Sequence, residues 1–309
     1  MKRSVIQLAG KTSVVSLPSK WVKQFGIQKG DELDIEQVSN TLVIKPNRQG
    51  SEIKKIELDI NNYNERVLRC SISALHKLGY DEITLKYEKP ILSDTIQDLT
   101  RTLLLGFIVS DQTPKKIVLK NISIELEKEF DASLRRAFLV VISFANSSLD
   151  LIKTKQYSTL PTLINLENTN NQLTSFCLRL INKGLYKNKE KEVFIITLIW
   201  ELEKICDEYK HICQSLEKNQ DEIQEETINL YSEVNNFFTE YYNLVYTFST
   251  EKLNNLVDKK EELMKNLNNI KSKAENERKL VNLLITIVSK TGDMSSSIFA
   301  IYLEKQQTT

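Results

Sequence analysis

The sequence predicts a mainly α protein with a small N-terminal β domain, a short α+β segment and two tandem three-helix bundles. Three observations predict it. Residues 4–45 break into short β-type runs, and residues 53–120 alternate strand and helix patterns. Beyond Ser123 the chain-breaking residues almost vanish, and apolar residues recur at three- and four-residue spacing. Only 8 Gly and 5 Pro occur among 309 residues, so long uninterrupted helices are expected. At roughly 100–200 residues per domain, the length suits two or three domains.

Taken in order, VIQL, VVSL, ELDIEQV and LVIK read as strands, with one brief helix after the second. Pro18 suits the first turn of that helix and Gly26 the left-handed residue just past its end. Gly30-Asp31 turns the chain into ELDIEQV, whose apolar side chains are Leu33, Ile35 and Val38. Ser39-Asn40 then links it to LVIK as a hairpin. Pro46, Asn47, Gln49 and Gly50 form a linker, closing a first part at residues 1–48.

Residues 51–120 read as strand, helix, strand, helix, strand, strand. IKKIELDI alternates, 63–78 is amphipathic, EITLKY alternates again, and 93–105 looks helical. GFIVS and KKIVLK flank the Thr113-Pro114 turn. The expected unit is a small helix-covered sheet. Helices are then expected at 124–157, 162–186 and 190–217, and again at 222–249, 251–271 and 274–304. They fill two parts, 123–218 and 221–305. The stripe Ile195, Ile199, Leu202, Cys206, Tyr209, Cys213 and Leu216 illustrates their period.

Composition narrows the class. Hydrophobic residues make up 41 % of the chain and charged ones 27 %, which fits globular material and argues against disorder. No apolar run approaches the ~18–20 residues of a membrane span. The opening MKRSVIQLAG has no export signal. Cys70, Cys177, Cys206 and Cys213 show no metal or redox spacing, so a reducing cytoplasm is the expected compartment. The 42 Lys plus Arg against 41 Asp plus Glu leave a net charge of +1, but it is unevenly spread. Residues 1–48 carry +4, 51–120 carry +1 and 121–309 carry −4. A basic head on a faintly acidic body suggests that only the head meets a polyanion.

Four short strands in about 45 residues bury too little apolar surface to persist alone. A second copy of the chain is the obvious support. The features Gly10-Lys11, VVSLP, SKWVKQFGI and Gly30-Asp31-Glu32-Leu33 before two apolar strands resemble the AbrB/SpoVT/MazE family of DNA-binding domains. The resemblance implies a swapped-hairpin β-barrel shared by two chains, with basic side chains gripping DNA phosphates on one face. It places Arg3, Lys11, Lys20 and Lys23 nearest that face, with Ser13 and Ser19 as neutral phosphate donors. A dimer would present about +8 and bind double-stranded DNA with strong salt dependence. With Arg3 and Arg48 its only arginines, the head has few bidentate base readers, so modest sequence selectivity is expected.

In the body, Glu167 and Asn171 lie four residues apart, as do Glu203 and Asp207, and His211 continues the second row. Such pairs stack on one helix face. Facing pairs from two helices would make an oxygen-rich site for a divalent cation; solvated or lysine-paired carboxylates are the ordinary alternative. An AbrB-like head, a small α+β segment and helical bundles containing LEKICDEYKHI together resemble archaeal PhoU-type phosphate-uptake regulators. That family carries E/DxxxD motifs, matched fully by Glu203 and Asp207 and in its first position by Glu167. Asp258 and Glu262 occupy the equivalent place in the second bundle, and Asp293 matches a second position where Ser289 replaces the first acid. The resemblance implies a metal ion (Fe, Zn, Mn or Mg) in the first bundle.

The aromatic run Phe237, Phe238, Tyr241, Tyr242, Tyr246 and Phe248 has helical spacing and is expected in a core. His76, near the end of an amphipathic helix, is expected at the surface or in a cap. No phosphate loop, GxSxG or Cys–His pairing is present, so no enzymatic role is expected. The expected function is a homodimeric, DNA-binding transcriptional regulator of phosphate uptake and homeostasis, its helical body docking on a phosphate transporter or signalling protein. A non-DNA-binding dimeric adaptor, regulating such a partner by contact alone, is the alternative. An antitoxin role, known in the head's family, is not expected, because some 260 residues of folded-looking chain follow the head.

Overall fold

A computed structural model describes residues 2–8, 10–38, 40–46, 53–88, 92–123, 129–218 and 222–303. It divides into two compact units, Met1–Ile53 and Lys54–Thr309. The linker expected at 47–50, Ser39 of the second hairpin turn, and the helix starts expected at 124–128 lie outside the described residues.

In the first unit β1 (Val5–Leu8) pairs antiparallel with β2 (Thr12–Val15), Val5 opposite Val15. Gly10, at φ +72°, supplies the left-handed turn residue between them. α1 (Ser19–Phe25) follows Pro18, which caps the helix rather than entering its first turn. Gly26, at φ 56°, ends α1 by donating its N–H to the Lys23 carbonyl. β3 (Leu33–Val38) then pairs antiparallel with β4 (Thr41–Pro46). The two hairpins remain separate two-stranded sheets, so among the described residues of one chain no barrel closes. Leaving aside Glu36, Val38 and Lys45, no described residue of this unit is buried. Val5, Ile35 and Leu42 each keep more than half of their surface exposed, at 64 %, 64 % and 68 %. An isolated two-stranded hairpin is at best marginal in water.

The second unit opens with β5 (Lys55–Asp59), α2 (Glu65–Lys77), β6 (Glu82–Lys86), α3 (Leu92–Leu103), β7 (Phe107–Thr113) and β8 (Lys116–Asn121). The strands form one sheet in the order β5-β6-β8-β7, parallel between β5 and β6 and antiparallel elsewhere. Alternation sets its two faces. Ile83, Leu85, Ile117 and Leu119 are buried with Leu68 and Ile72 of α2 and Ile96 and Leu99 of α3. On the opposite face cross-strand ion pairs join Lys55 with Glu82 at 3.0 Å and Lys116 with Asp111 at 2.9 Å. Asn64 starts α2 by accepting the Val67 N–H at 2.9 Å.

Among the described residues six long helices follow: α4 (Phe130–Lys153), α5 (Ile164–Asn182), α6 (Glu192–Leu216), α7 (Glu225–Tyr246), α8 (Thr250–Asn269) and α9 (Glu275–Tyr302). Pro161, lacking an N–H, sits in a 3₁₀ segment at Tyr157–Leu163, so α5 begins later than residue 162. Helices α4, α5 and α6 pack mutually, as do α7, α8 and α9. The two groups are not separate bodies. α6 lies along α9 and α4 along α7, and all six share one continuous apolar core. Phe237, Phe238 and Tyr241 are fully buried in it, with Tyr242, Tyr246 and Phe248 packed against it. Hydrogen bonds cross this core: Tyr209 donates to Asn235 Oδ1 at 2.9 Å, and Asn235 Nδ2 donates to the Ala145 carbonyl at 2.8 Å.

The α+β segment is fixed onto this body through α5. Arg179 is fully buried and donates to the Asp81 carboxylate, to the Tyr80 carbonyl at 2.6 Å and to the His76 carbonyl at 3.3 Å. Its guanidinium also lies over the Phe107 ring. Lys183 reaches Asp81 at 2.8 Å, and Asn182 donates to the Lys77 carbonyl at 2.9 Å. His76, expected at the surface or in a cap, is fully buried beneath this junction. Burial first, and then the nearby Arg179 charge, push its pKa down to about 3, so it is neutral at physiological pH.

Glu277 of α9 is buried at the start of α7, where it accepts the Gln224 N–H at 2.9 Å and the Thr227 hydroxyl at 2.7 Å. Burial pushes its carboxyl up, but hydrogen bonds from Ser272, Thr227 and Gln224 outweigh burial and hold it below the usual carboxylate range. A folded-state pKa below the unfolded one gives stability that is present at neutral pH and lost as pH falls through the folded value. Glu277→Ala is expected to cost about 1–3 kcal/mol at pH 7, with the deficit shrinking in acid; urea melts at pH 7 and in acid check it.

Candidate nucleic-acid interface and carboxylate cluster

In the head, Lys11 occupies the β1–β2 turn and Ser13 lies on β2 opposite Gln7. Ser19 opens α1, Lys20 and Lys23 lie one turn apart along it, and Arg3 precedes β1. All six side chains are exposed. No carboxylate among the described residues forms an ion pair with Arg3, Lys11, Lys20 or Lys23, so their charge faces water. Arg48 lies outside the described residues. What this hairpin and helix offer is unneutralised positive charge beside two hydroxyls, the groups that bind phosphate oxygens in nucleic acids.

In the body, packing of α5 against α6 does bring Glu167, Asn171 and Asp207 together. The group at their centre is a lysine. Lys210 Nζ donates to Glu167 Oε1 at 2.9 Å and to Asp207 Oδ1 at 2.8 Å, and Asn171 Nδ2 donates to Glu167 Oε1 at 2.6 Å. Lys204 holds the second oxygen of Asp207 at 3.1 Å and lies 3.8 Å from Glu203. Burial pushes the Asp207 carboxyl up, but the hydrogen bonds and charges of Lys210 and Lys204 outweigh it and keep the group well ionised. Burial lowers Lys210, and its bonds to Asp207 and Glu167 more than restore it.

The expected cation site therefore takes another form. His211 does not join the cluster; its ring turns to Glu208, 3.3 Å away, which also accepts from Lys290 at 2.6 Å. Asp258 and Glu262 are exposed on α8, and Asp293 on α9 meets Lys260 at 3.5 Å instead. Among the described residues no three His, Cys, Asp or Glu side chains are placed to hold a metal ion. As the side chains stand, the donor set does not fit a divalent cation, because two ammonium groups already hold both oxygens of Asp207. Within this cluster Glu203 Oε2 and Asn171 Oδ1 are buried without a hydrogen-bond partner. The signal for this outcome was in the sequence: Lys204 and Lys210 stand three residues either side of Asp207 and share its helix face.

Lys210→Met is expected to leave Glu167 without its counterion and Asp207 with Lys204 alone, and to destabilise the fold by about 1–3 kcal/mol. Adding a chelator to the wild-type protein is expected to leave its melting temperature unchanged. A chelator-induced drop in Tm would contradict the lysine-centred cluster.

Residues 6–52 match the family described as antidote-toxin recognition MazE, bacterial antitoxin. The head is thus a MazE/AbrB-like domain; the match does not extend into the sheet and helices that follow. No curated protein and no solved structure matches the chain. Among the described residues no helix is long and apolar enough to cross a membrane.

Proposed function

We propose that this chain is a homodimeric DNA-binding regulator whose two heads complete one another and grip the phosphate backbone. The observation that carries the reading is the exposed apolar strand surface of the head, where Val5, Ile6, Leu8, Val15, Ile35 and Leu42 each keep more than half of their surface exposed. Burying a Val, Ile or Leu side chain stabilises by about 1.5–3 kcal/mol. Val5, Ile6, Leu8, Val15, Ile35 and Leu42 together are therefore a strong drive toward a second copy. The same association doubles the unpaired charge of Arg3, Lys11, Lys20 and Lys23 on one particle. The match of 6–52 to a MazE-type domain points the same way.

The finer reading assigns the regulator to phosphate uptake, with the 54–309 unit docking on a transporter or signalling partner. Its support is the order of parts and the Glu203–Asp207 motif in the sequence. The test for DNA binding is a fluorescence-anisotropy titration of duplex DNA at several salt concentrations. Binding with a steep negative log–log salt slope is expected, and no binding at low salt would leave the adaptor alternative. For the pathway, transcript levels of phosphate-transport genes under phosphate limitation should differ when this gene is deleted.

A further inference from the structure

We propose that the cavity between α4, α6, α7 and α9 binds a small monocarboxylate with an apolar or aromatic body. The cavity measures about 550 Å³, within the range of roughly 300–1,000 Å³ usual for small-molecule sites. Phe130, Leu134, Ile195, Val245 and Ile298 give it an apolar wall. One strong cation stands at that wall, Arg135, one turn along α4 from Asp131.

Arg135 is held in place without being neutralised. Its Nε donates to Tyr242 Oη at 3.1 Å, and its guanidinium lies 4.9 Å above the centre of the Tyr246 ring. No carboxylate among the described residues pairs with it, and Asp131, although one turn away, forms no ion pair with it. The two tyrosines therefore fix the plane of the fork and leave its terminal N–H groups for an external acceptor. A planar carboxylate accepts from such a fork through two parallel bonds.

The surroundings select among anions. The wall is mainly hydrocarbon, which suits a ligand whose remaining atoms are apolar. Asp131 on the same rim opposes a second negative charge, so a monoanion fits better than a phosphate dianion. The same Asp131 can receive an ammonium group, so the ligand is either a simple apolar carboxylic acid or the corresponding α-amino acid.

Isothermal titration calorimetry of the full chain with phenylacetate, 4-methylvalerate, L-phenylalanine and L-leucine tests the proposal, with inorganic phosphate as comparison. At least one of the four organic acids is expected to bind saturably. Arg135→Gln, at an exposed position, is expected to weaken that binding about tenfold or more. Ile298→Trp is expected to fill the cavity and abolish it; if that variant does not fold, Arg135→Gln carries the test alone. Preference for the amino acids assigns the Asp131 rim to an ammonium, and preference for the simple acids leaves it unused. No saturable binding of any of the four at millimolar concentration, equal binding by Arg135→Gln, or tighter binding of phosphate each overturns the proposal. The titration contains no DNA, so its failure and a failure of the head to bind DNA are separate results.

Discussion

Replacing Lys11 and Lys23 together by alanine is expected to weaken duplex DNA binding roughly 10²–10³-fold near physiological salt. The size follows from counting charges. Each cation that neutralises a phosphate releases condensed counterion and contributes about 0.9 to the slope of log K against log salt. A dimer carrying both changes loses four such cations, so its slope should become shallower by about 3–4. Both side chains are exposed and no carboxylate among the described residues pairs with them. Folding and dimerisation should therefore survive, which circular dichroism and gel filtration verify. Because the head offers few arginines for reading base edges, the loss should be similar for unrelated duplexes. A variant that binds as tightly as wild type, with an unchanged slope, would remove these lysines from the interface.

Arg179→Met is expected to lower the stability of the 54–309 unit by about 3–5 kcal/mol. It removes one partner of a buried ion pair and leaves the Asp81 carboxylate, the Tyr80 carbonyl and the His76 carbonyl without their donor. For a unit of this size that corresponds to a Tm lower by roughly 6–20 °C. Acid should narrow the gap. Burial pushes the Asp81 carboxyl up, but hydrogen bonds from Lys183 and the Lys54 N–H and the charges of Lys183 and Arg179 outweigh it. A depressed folded pKa contributes stability above the unfolded value, and that contribution disappears as pH falls through the folded one. Arg179→Lys keeps the charge but not the fork and should fall between the two. Equal melting of Arg179→Met and wild type at pH 7 would mean that α5 does not hold the sheet in this way.

Local patterns were legible because they depend on neighbours in sequence. Gly26 and Gly30 stand where left-handed backbone is needed, and alternation in EITLKY and KKIVLK assigns the sheet faces. The helical stripes of 130–302 likewise announce which side of each helix is buried. What the sequence did not display depends on which elements meet. Nothing in the periodicity of α5 reveals that Arg179 crosses to Asp81, nearly a hundred residues earlier. His76 is buried because α5 and β7 cover the end of α2, which its own helix does not show. The row Glu203, Asp207, His211 suggested ligands on one helix face, but Lys204 and Lys210 reach the same space first. Similarly, six apolar stripes predict helices, while their union in one core rests on α6 meeting α9.

Completion of the head by a second chain underlies the functional reading, and sedimentation equilibrium of the full-length protein at micromolar concentration tests it most directly. A mass of twice 35.7 kDa is expected, moving toward the single-chain value when Ile35→Lys charges the exposed strand surface. A wild-type mass of one chain, with the amides of β1–β4 protected from hydrogen exchange, would contradict it.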